Sequence, residues 1–448
     1  MRPSLYLIAG LGKTGHSIAR YLRRRNKQFV VFDTRLEPEG LLQFKEEFPG
    51  VEVHLGEIPE ALYPHLIEII SSPGVALDNP CIQKAVSQGI LVLGDIECLA
   101  REVRVPVIAI TGTNGKSTVT SLVGAMAKAS GLKVAVAGNI GSPVLDALDD
   151  GKKYDLWVLE LSSFQLDLTH SLAPLAATIL NITEDHIDRH HTFEAYVKAK
   201  QRIYHHAKTI VFNRDDPFTA LSDKAMESNL SMTSFGLDLP KEGQWGLLQD
   251  GGVDYLAYGT KRWLAVNDIR LKGRHNYQNA LAACALSHVF GISSHHMVNV
   301  LKQFTGLPHR TQWVRTIDGV DWINDSKGTN VGATISAITG VGSYIQGKIV
   351  LIAGGQGKGA DFKELRSSIT KYVRSVVLIG EDAEKLERAL SDVVTVMRAP
   401  SFDKAITMAK GAAKPKDVVL LSPACASFDM FKDFNHRGES FTIAVNAL

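Results

Sequence analysis

The strongest constraint on the fold is a pattern that occurs three times at long, uneven intervals. In each copy a short run of β-branched and aliphatic residues meets a glycine-rich turn, and a helix-like segment follows. The copies are LYLIAGLGKTG from Leu5, VIAITGTNGKST from Val107 and IVLIAGGQGKGADF from Ile349. Buried parallel strands have continuous apolar sequences, and a strand–glycine–helix junction is the phosphate-facing corner of an α/β sheet. The pattern therefore predicts successive α/β domains and not a solenoid.

The length of the chain predicts how many such domains there are. At 448 residues it suggests about three. We expect domains at 1–97, 98–306 and 307–448, each built on a mainly parallel sheet flanked by helices. The first and last are expected to be Rossmann-like and the central one P-loop NTPase-like. Frequent turn residues over 209–271 predict an antiparallel or irregular insert there.

Composition narrows the class of protein. Lys plus Arg total 49 and Asp plus Glu 47, a net charge of +2, which argues against an extended nucleic-acid surface. The four cysteines form no C-x-x-C pair, as is typical of a reducing compartment. No apolar run approaches the roughly 18 residues of a membrane span. We expect a soluble, cytoplasmic monomer that binds neither nucleic acid nor membrane.

The central glycine turn, residues 111–118, has the form of a phosphate-binding loop. Its backbone N–H groups and the following helix N-terminus suit an anion, Lys116 would reach the terminal phosphates, and the Ser117 hydroxyl would face Mg²⁺. The standard motif has a glycine where Ile110 stands, so this is a shortened variant. Glu160 ends a later apolar strand, where it is either a metal-side ligand or a solvated glutamate.

The first glycine turn, Gly10–Gly15, satisfies G-x-G-x-x-G, and Asp33 follows at the next strand end. That is the dinucleotide fingerprint and would predict an NAD-dependent dehydrogenase. The same corner binds any phosphate-bearing ligand, and a protein with a second nucleotide corner has no evident need of a nicotinamide. We therefore interpret it as a cradle for a nucleotide substrate, with Asp33 and Thr34 contacting the nucleoside.

A polar segment, Asn181–His190, follows another apolar strand. Within it His186 is either a borderline Mg²⁺ ligand, since Mg²⁺ prefers oxygen donors, or a bystander. Lys200 lies on a predicted helix shortly afterwards, where spacing alone indicates a solvated surface cation. The further histidines, His190 among them, are expected to be solvated.

Eight segments together resemble the Mur ligases, in the order that family has them, and within the family the member that adds D-glutamate. They are GTNGKST, NITEDHIDRH, KAKQRIY, HNYQNALAA, GLPHR, NDSKGTN, GGQGKGADF and SPACASFDMFKDF. The resemblance implies ATP-dependent amide-bond formation between UDP-N-acetylmuramoyl-L-alanine and D-glutamate in peptidoglycan precursor synthesis. The reaction would pass through an acyl phosphate and a tetrahedral intermediate and release ADP and phosphate.

The resemblance also implies roles for individual residues. For catalysis it implies Lys116, Glu160, His186 and Lys200. For two Mg²⁺ ions it implies Ser117, Glu160, His186 and Lys200, the last as a carbamate. For ATP it implies Gly112, Thr113, Asn114, Gly115, Lys116, Ser117, Thr118, Asn276, Asn279, Arg310, Asp325 and Lys327. For the UDP-substrate it implies Gly12, Lys13, Thr14, Gly15, Asp33, Thr34, Ser72, Pro73, Gly74 and Asn139. For D-glutamate it implies Thr329, Lys358, Ser427 and Phe434.

Other functions stay open at this point. A sister ligase that adds another amino acid and a folylpolyglutamate synthase use the same chemistry. Against the meso-diaminopimelate-adding sister, the last domain has no Asp-Asn-Pro-Arg motif. The remaining alternatives are an NAD-dependent dehydrogenase and a P-loop regulator that hydrolyses ATP without making a product.

Overall fold

The structure is a computed structural model that describes residues 5–221, 230–271, 273–357 and 359–448, without the side chain at 188. The chain divides into two compact units, Met1–Leu264 with Asn279–Val300 and Ala265–Gln278 with Leu301–Leu448. Across the described ranges, no helix is both long enough and apolar enough to cross a bilayer.

The first sheet has five parallel strands in the order β3-β2-β1-β4-β5. The direction of succession reverses at β1, and such switch points form ligand crevices at the carboxyl ends of strands. The carboxyl-terminal halves of both central strands, Leu7–Ala9 of β1 and Ile69–Ser71 of β4, are buried. The elements are β1 (Leu5–Ala9), α1 (Lys13–Arg24), β2 (Gln28–Asp33), α2 (Leu41–Glu47), β3 (Val53–Leu55), β4 (Leu66–Ser71), α3 (Pro80–Ser87), β5 (Leu91–Leu93) and α4 (Asp95–Glu102).

The central sheet has nine strands in the order β14-β13-β12-β11-β10-β9-β6-β8-β7. The strand β6, which leads into the glycine turn at 111–118, lies between β8 and β9 and pairs parallel with both. The first part is β6 (Val107–Thr111), α5 (Lys116–Ala129), β7 (Val134–Gly138), α6 (Val144–Leu148), β8 (Leu156–Glu160), α7 (Ser163–Asp167), β9 (Ala176–Ile179), α8 (Ile187–His190) and α9 (Phe193–Gln201). The second part is β10 (Thr209–Asn213), β11 (Ser231–Phe235), β12 (Gln244–Asp250), β13 (Val253–Tyr258), β14 (Lys261–Ala265), α10 (Arg274–Phe290) and α11 (Ser294–Gln303).

The prediction of an antiparallel or irregular insert over 209–271 was wrong for its first strands. β10 pairs parallel with β9 and with β11, and β11 pairs parallel with β12. Antiparallel pairing begins between β12 and β13. Turn residues indicate where a strand ends. Whether the next strand is parallel or antiparallel depends on the strand with which it pairs, and the turn residues do not indicate that partner.

The first and central sheets are joined by paired charges. Arg20 donates to Asp146 at 2.9 and 2.7 Å. Arg25 donates to both Glu102, at 2.6 and 2.5 Å, and Asp149, at 2.9 and 3.1 Å. Bidentate arginine–carboxylate pairs add geometric specificity as well as energy. Arg20 of α1 and Arg25 at its C-cap therefore link the elements of the first sheet to Asp146 of α6 and to Asp149 at the C-cap of α6.

The third sheet has six strands in the order β15-β16-β20-β17-β18-β19. Its core strands pair parallel, and β15 adds an antiparallel edge. The predicted α/β class, with three mainly parallel sheets flanked by helices, is thus confirmed. The elements are β15 (Gln312–Ile317), β16 (Val320–Asn324), α12 (Val331–Gly342), β17 (Ile349–Gly354), α13 (Arg366–Tyr372), β18 (Val373–Ile379), α14 (Ala383–Leu390), β19 (Thr395–Arg398), α15 (Phe402–Ala412), β20 (Val418–Leu421) and α16 (Phe434–Asn446).

Candidate active site

The phosphate-binding loop connects buried β6 to α5. Gly115, immediately before α5, has φ +83°, and a Cβ there would lie 2.4 Å from Asn279 Oδ1. Only glycine fits, both for its left-handed backbone and for this close approach. Lys116 Nζ donates to the carbonyls of Gly112 and Thr113, each at 2.9 Å. The ammonium group of Lys116 therefore lies over the loop.

The polar segment after β9 is hydrogen-bonded directly to this loop. Asn114 N–H donates to Asn181 Oδ1 at 2.8 Å, and Thr113 Oγ1 donates to the carbonyl of Thr183 at 3.1 Å. The sequence interpretation missed Asn181 and Thr183 as supports of the loop. The position of Asn181 directly after a buried strand was a signal that could have identified it.

Glu160 lies at the end of β8 with its carboxylate buried. The residue is 2% exposed, and its register partner on β6 is Ile110, just before the loop. Its Oε1 accepts from Asn139 Nδ2 at 3.0 Å, whereas its Oε2 is buried and has no hydrogen-bond partner among the described residues. A buried carboxylate oxygen without a partner is costly unless a ligand satisfies it. Ser117, on the first turn of α5, is also buried, and these oxygen donors are of the kind that Mg²⁺ prefers.

Lys200 is not on the surface, so the interpretation from spacing alone was wrong. On α9 it is 2% exposed, and its Nζ donates to Gly112 O at 2.9 Å and to Thr111 Oγ1 at 3.5 Å. The ammonium lies 4.6 Å from the centre of the Tyr196 ring. Burial, with a smaller contribution from the neighbouring charge of Lys116, lowers the pKa of Lys200 to about 7. Two lysines thus converge on the carbonyl of Gly112.

His186 lies at the edge of this arrangement. Its backbone is left-handed with φ +54°, its side chain is about half exposed, and its Nε2 is 3.5 Å from Asp185 Oδ2. No group of three or more His, Cys, Asp or Glu side chains in the described part of the chain is arranged to hold a metal. His190 is buried, with Nε2 2.9 Å from Ser163 Oγ, so its expected solvation was wrong.

The first glycine corner depends on close backbone packing. A Cβ on Gly15 would lie 1.9 Å from the carbonyl oxygen of Gly10. Asp33 is 2% exposed; its carboxylate accepts from Leu11 N–H at 2.8 Å and from the Arg35 guanidinium at 2.9 and 2.8 Å. Burial by itself would raise the pKa of Asp33, but these hydrogen bonds have the larger effect and lower it.

Asp33 therefore fixes the glycine loop, and the exposed side chains beside it are Thr34 and Arg35. Sequence reasoning missed Arg35. The helix α1 begins within the loop and carries Lys13, Thr14 and Gly15, after Gly12 at its N-cap. The Ser72–Gly74 turn lies against the same loop, because Ser72 N–H donates to the carbonyl of Ala9 at 2.8 Å.

In the second unit, the predicted residues cluster at the carboxyl ends of β16 and β20. Asp325 is buried and accepts from Thr311 N–H at 2.9 Å and Ser422 Oγ at 2.7 Å, and burial raises its pKa to about 6. Lys327 Nζ lies 3.9 Å from the centre of the Phe434 ring. Burial, and then Arg310, lower the pKa of Lys327.

The loops that carry these residues are held by Arg437, which the sequence interpretation missed. This arginine of α16 is 1% exposed and donates to Ser326 Oγ and O, both at 3.0 Å, and to Cys425 O at 3.1 Å. It thereby ties the loop of Lys327 and Thr329 to the loop of Ser427, which is itself buried. In a sequence, an arginine on a predicted helix has the pattern of a surface cation. No sequence signal therefore indicated that Arg437 holds two loops together.

Arg310, Asn276 and Asn279 were also predicted to bind ATP. Arg310 is exposed beside buried His309. Asn276 and Asn279 lie inside α10, one on each side of the boundary between the two units. The structure brings Thr113, Lys116, Glu160, Lys200 and Asn139 together in the first unit, and Asp325, Lys327, Thr329, Ser427 and Phe434 in the second. Lys358, predicted to bind D-glutamate, lies outside the described residues.

Three family models match the chain. Residues 4–94 match the model described as "Mur ligase MurD-like, N-terminal domain". Residues 110–287 match "Mur ligase middle domain", and residues 309–425 match "Mur ligase, glutamate ligase domain". A UDP-N-acetylmuramoylalanine–D-glutamate ligase of Legionella pneumophila is 63% identical over 100% of both chains. One from Pseudomonas fluorescens is 46% identical over 99% of this chain and 98% of its own.

Solved structures share the fold at low identity. The UDP-N-acetylmuramate-alanine ligase of Thermotoga maritima aligns with a TM-score of 0.57 and 17% identity over 99% of both chains. MurF from Acinetobacter baumannii aligns with a TM-score of 0.59 and 18% identity, covering 99% of this chain and 90% of its own. The fold, the arrangement of the phosphate-binding loop and these full-length similarities agree, and the chain belongs to the Mur ligase family.

Proposed function

We propose that this protein joins D-glutamate to UDP-N-acetylmuramoyl-L-alanine at the expense of ATP, as a cytoplasmic monomer in peptidoglycan precursor synthesis. The observation that carries the proposal is the buried Glu160 Oε2, which has no partner in the described part of the chain and lies on the strand beside the glycine turn at 111–118. Such an oxygen suits a metal–triphosphate complex. The full-length relatives named for this reaction supply the choice of substrates.

The reaction needs cations more than it needs a base. The alanyl carboxylate attacks the γ-phosphorus of ATP, ADP leaves, and an acyl phosphate results. The amine of D-glutamate then attacks the acyl carbon, and the tetrahedral intermediate expels phosphate as the amide forms and the amine loses its proton. Because two anions must approach in the first step, positioning and electrostatic stabilisation dominate the catalysis. Lys116 and the N-terminus of α5 supply positive charge where the triphosphate would lie.

Ser117 and Glu160 are the residues that would hold a first Mg²⁺, and His186 and Lys200 would serve a second. The metal would neutralise phosphate oxygens when bound. A lysine ammonium repels a cation, so Lys200 fits this role only as a carbamate, formed when its neutral amine adds to CO₂ and loses one proton. Its burial favours the neutral amine and outweighs the opposing charge of Asp185.

Substrate binding is divided among the three sheets in this proposal. The glycine corner of the first sheet, with Asp33, Thr34 and the Ser72–Gly74 turn, takes the UDP-sugar. Asn139, which donates to Glu160, would contact the UDP-substrate on the side facing ATP. The remaining ATP contacts are Asn276, Asn279, Arg310, Asp325 and Lys327, and the D-glutamate contacts are Thr329, Lys358, Ser427 and Phe434.

An amino-acid panel tests the proposal. The purified chain is supplied with ATP, Mg²⁺ and UDP-N-acetylmuramoyl-L-alanine, and each amino acid in turn is added while the product is identified by mass. We expect an amide product with D-glutamate and no effect of NAD. A product with a different amino acid would identify a sister ligase. Phosphate release that no amino acid or UDP-substrate stimulates would indicate a P-loop hydrolase and refute the proposal.

A further inference from the structure

Arg189 is a cation to which no part of the proposed chemistry assigns a role. It lies on α8, three residues after His186, and its guanidinium reaches the turn that follows β4 in the first sheet. One guanidinium nitrogen donates to the carbonyls of Val75, at 2.5 Å, and Pro73, at 3.5 Å, and the other donates to the carbonyl of Gly74, at 3.5 Å. A planar guanidinium with five donors is suited to hold several carbonyls at once, which an ammonium is not.

The turn that Arg189 holds is part of the first glycine corner. It follows β4, where Ser72 N–H donates to the carbonyl of Ala9 at 2.8 Å and Ser72 Oγ donates to the carbonyl of Gly10 at 3.5 Å. Val75 N–H closes the turn by donating to the carbonyl of Ser72 at 3.0 Å. The carbonyls facing Arg189 therefore belong to the backbone that shapes the phosphate-facing corner.

The other face of Arg189 contacts the aromatic neighbours of His186. Its guanidinium carbon is 4.8 Å from the centre of the Phe164 ring. That ring meets His186 edge-on at 5.0 Å and stacks on His190 at 5.4 Å. Among the described side chains, no carboxylate forms an ion pair with Arg189 within 4 Å, and its electrostatic effect on Asp167 acts at longer range. Its hydrogen-bond partners are thus the turn carbonyls, and its packing partner is Phe164.

We propose that Arg189 is a positioning residue that sets the separation between the UDP-substrate turn of the first sheet and the His186 segment of the central sheet. This inference rests on the proposed function, because a single substrate must then bridge the two. Its uridine diphosphate would lie at the glycine corner, and its alanyl carboxylate would lie beside the phosphate-binding loop. A guanidinium bonded to one side and packed on the other fixes the span that this substrate must match.

Two variants at one position test the role. Arg189→Met keeps the aliphatic stem but removes every donor, and we expect the KM for UDP-N-acetylmuramoyl-L-alanine to rise about tenfold to a hundredfold, as for the loss of hydrogen bonds from a charged donor. The KM values for ATP and D-glutamate should change less than twofold. Arg189→Lys, whose ammonium reaches fewer carbonyls, should give an intermediate increase. Calorimetric binding of the UDP-substrate without ATP should weaken by the same factors.

Arg202 provides the matched control. It too donates to backbone carbonyls, those of Leu166 at 2.8 Å and Thr169 at 2.9 Å, but both lie in the central domain. Arg202→Met should lower the melting temperature without a selective change in the KM for the UDP-substrate. If the loss of any partly buried arginine side chain simply damaged the fold, Arg189→Met and Arg202→Met would change the melting temperature and the KM values in the same way.

Each possible result either supports or overturns the role of Arg189. An Arg189→Met protein that melts as the wild type does, with the UDP-substrate KM within twofold of the wild-type value, would overturn the role, as would an equal rise in all three KM values. If Arg189→Met does not fold, Arg189→Lys decides by the same criterion, with at least a threefold selective rise required. If the wild type makes no amide with D-glutamate, the proposed function fails, whereas calorimetric binding of the UDP-substrate still reports on Arg189.

Discussion

Replacing Glu160 by glutamine tests whether this buried carboxylate is kept for a metal. The substitution conserves the shape of the side chain. The glutamine oxygen can still accept from Asn139 Nδ2, which lies 3.0 Å from Glu160 Oε1 in the wild type. The substitution removes the charge on the buried Oε2. Loss of one preorganised electrostatic contact typically lowers kcat about 10²- to 10³-fold, or about 2.7–4 kcal/mol. We expect that loss in the Glu160→Gln protein.

The same variant should not lose stability, and this distinguishes a functional carboxylate from a structural one. An unsatisfied buried polar group costs about 1–3 kcal/mol, and glutamine carries no charge to bury. The melting temperature without ligand should therefore stay the same or rise. The wild type should be stabilised by Mg²⁺ and ATP, since a ligand at about 100 times its Kd adds about 2.7 kcal/mol. The variant should show a smaller shift in a thermal melt.

Glu97→Gln is the matched control. Glu97 is 3% exposed, but its carboxylate accepts from His170 N–H at 2.7 Å, from Ser171 N–H at 2.8 Å and from Ser171 Oγ at 2.7 Å. Its loss should lower the melting temperature and spare kcat. The reasoning is refuted if Glu160→Gln keeps kcat within tenfold of the wild type, or if it destabilises the ligand-free protein as much as Glu97→Gln does.

Three further predictions concern other charged groups. Lys116→Ala should abolish turnover, because the loop loses its phosphate-directed cation, while calorimetric affinity for the UDP-substrate stays near that of the wild type. Lys200→Ala should lose activity and regain part of it with added short carboxylic acids, if a carbamate oxygen is what the site requires. Asp417→Asn should lower the free energy of unfolding by about 2–4 kcal/mol, measured by denaturant titration, because Asp417 accepts from Arg374 at 2.6 and 3.0 Å.

Each of the three has an outcome that contradicts it. A weaker UDP-substrate affinity in Lys116→Ala would mean that the two nucleotide corners are not separate. Absence of rescue in Lys200→Ala, where acetate and formate are both tried, would count against the carbamate. Burial opposes the charged form of Asp417, but Arg374 and backbone donors prevail and lower its pKa. Its stabilisation is therefore full above the unfolded-state pKa of about 3.9 and lost as pH falls through the lower folded-state value, so a pH-independent difference from Asp417→Asn would be a contradiction.

Local sequence predicted the elements that depend on local physics. The glycine turn at 111–118 and the apolar strand before it predicted a strand–glycine–helix junction, which the structure confirms as β6, Gly115 and α5, because a left-handed glycine and a helix N-terminus are properties of a few adjacent residues. The same holds for Glu160 at a strand end, since the carboxyl ends of parallel strands share one edge. The resemblance of motifs across the whole chain predicted the family, which the full-length relatives confirm.

The fold of the chain decided what depends on distant neighbours. The burial of Lys200 against Gly112, the bonding of Asp33 to Leu11 and the parallel direction of β10 all require partners far along the chain. A charged residue on a helix has the same local pattern whether its tip meets water or a buried carbonyl, and only the packing of a second element distinguishes the two. Motif spacing therefore determined which chemistry this chain can support, whereas tertiary packing determined which of its charges face that chemistry and which, like Arg437, hold the loops that carry it.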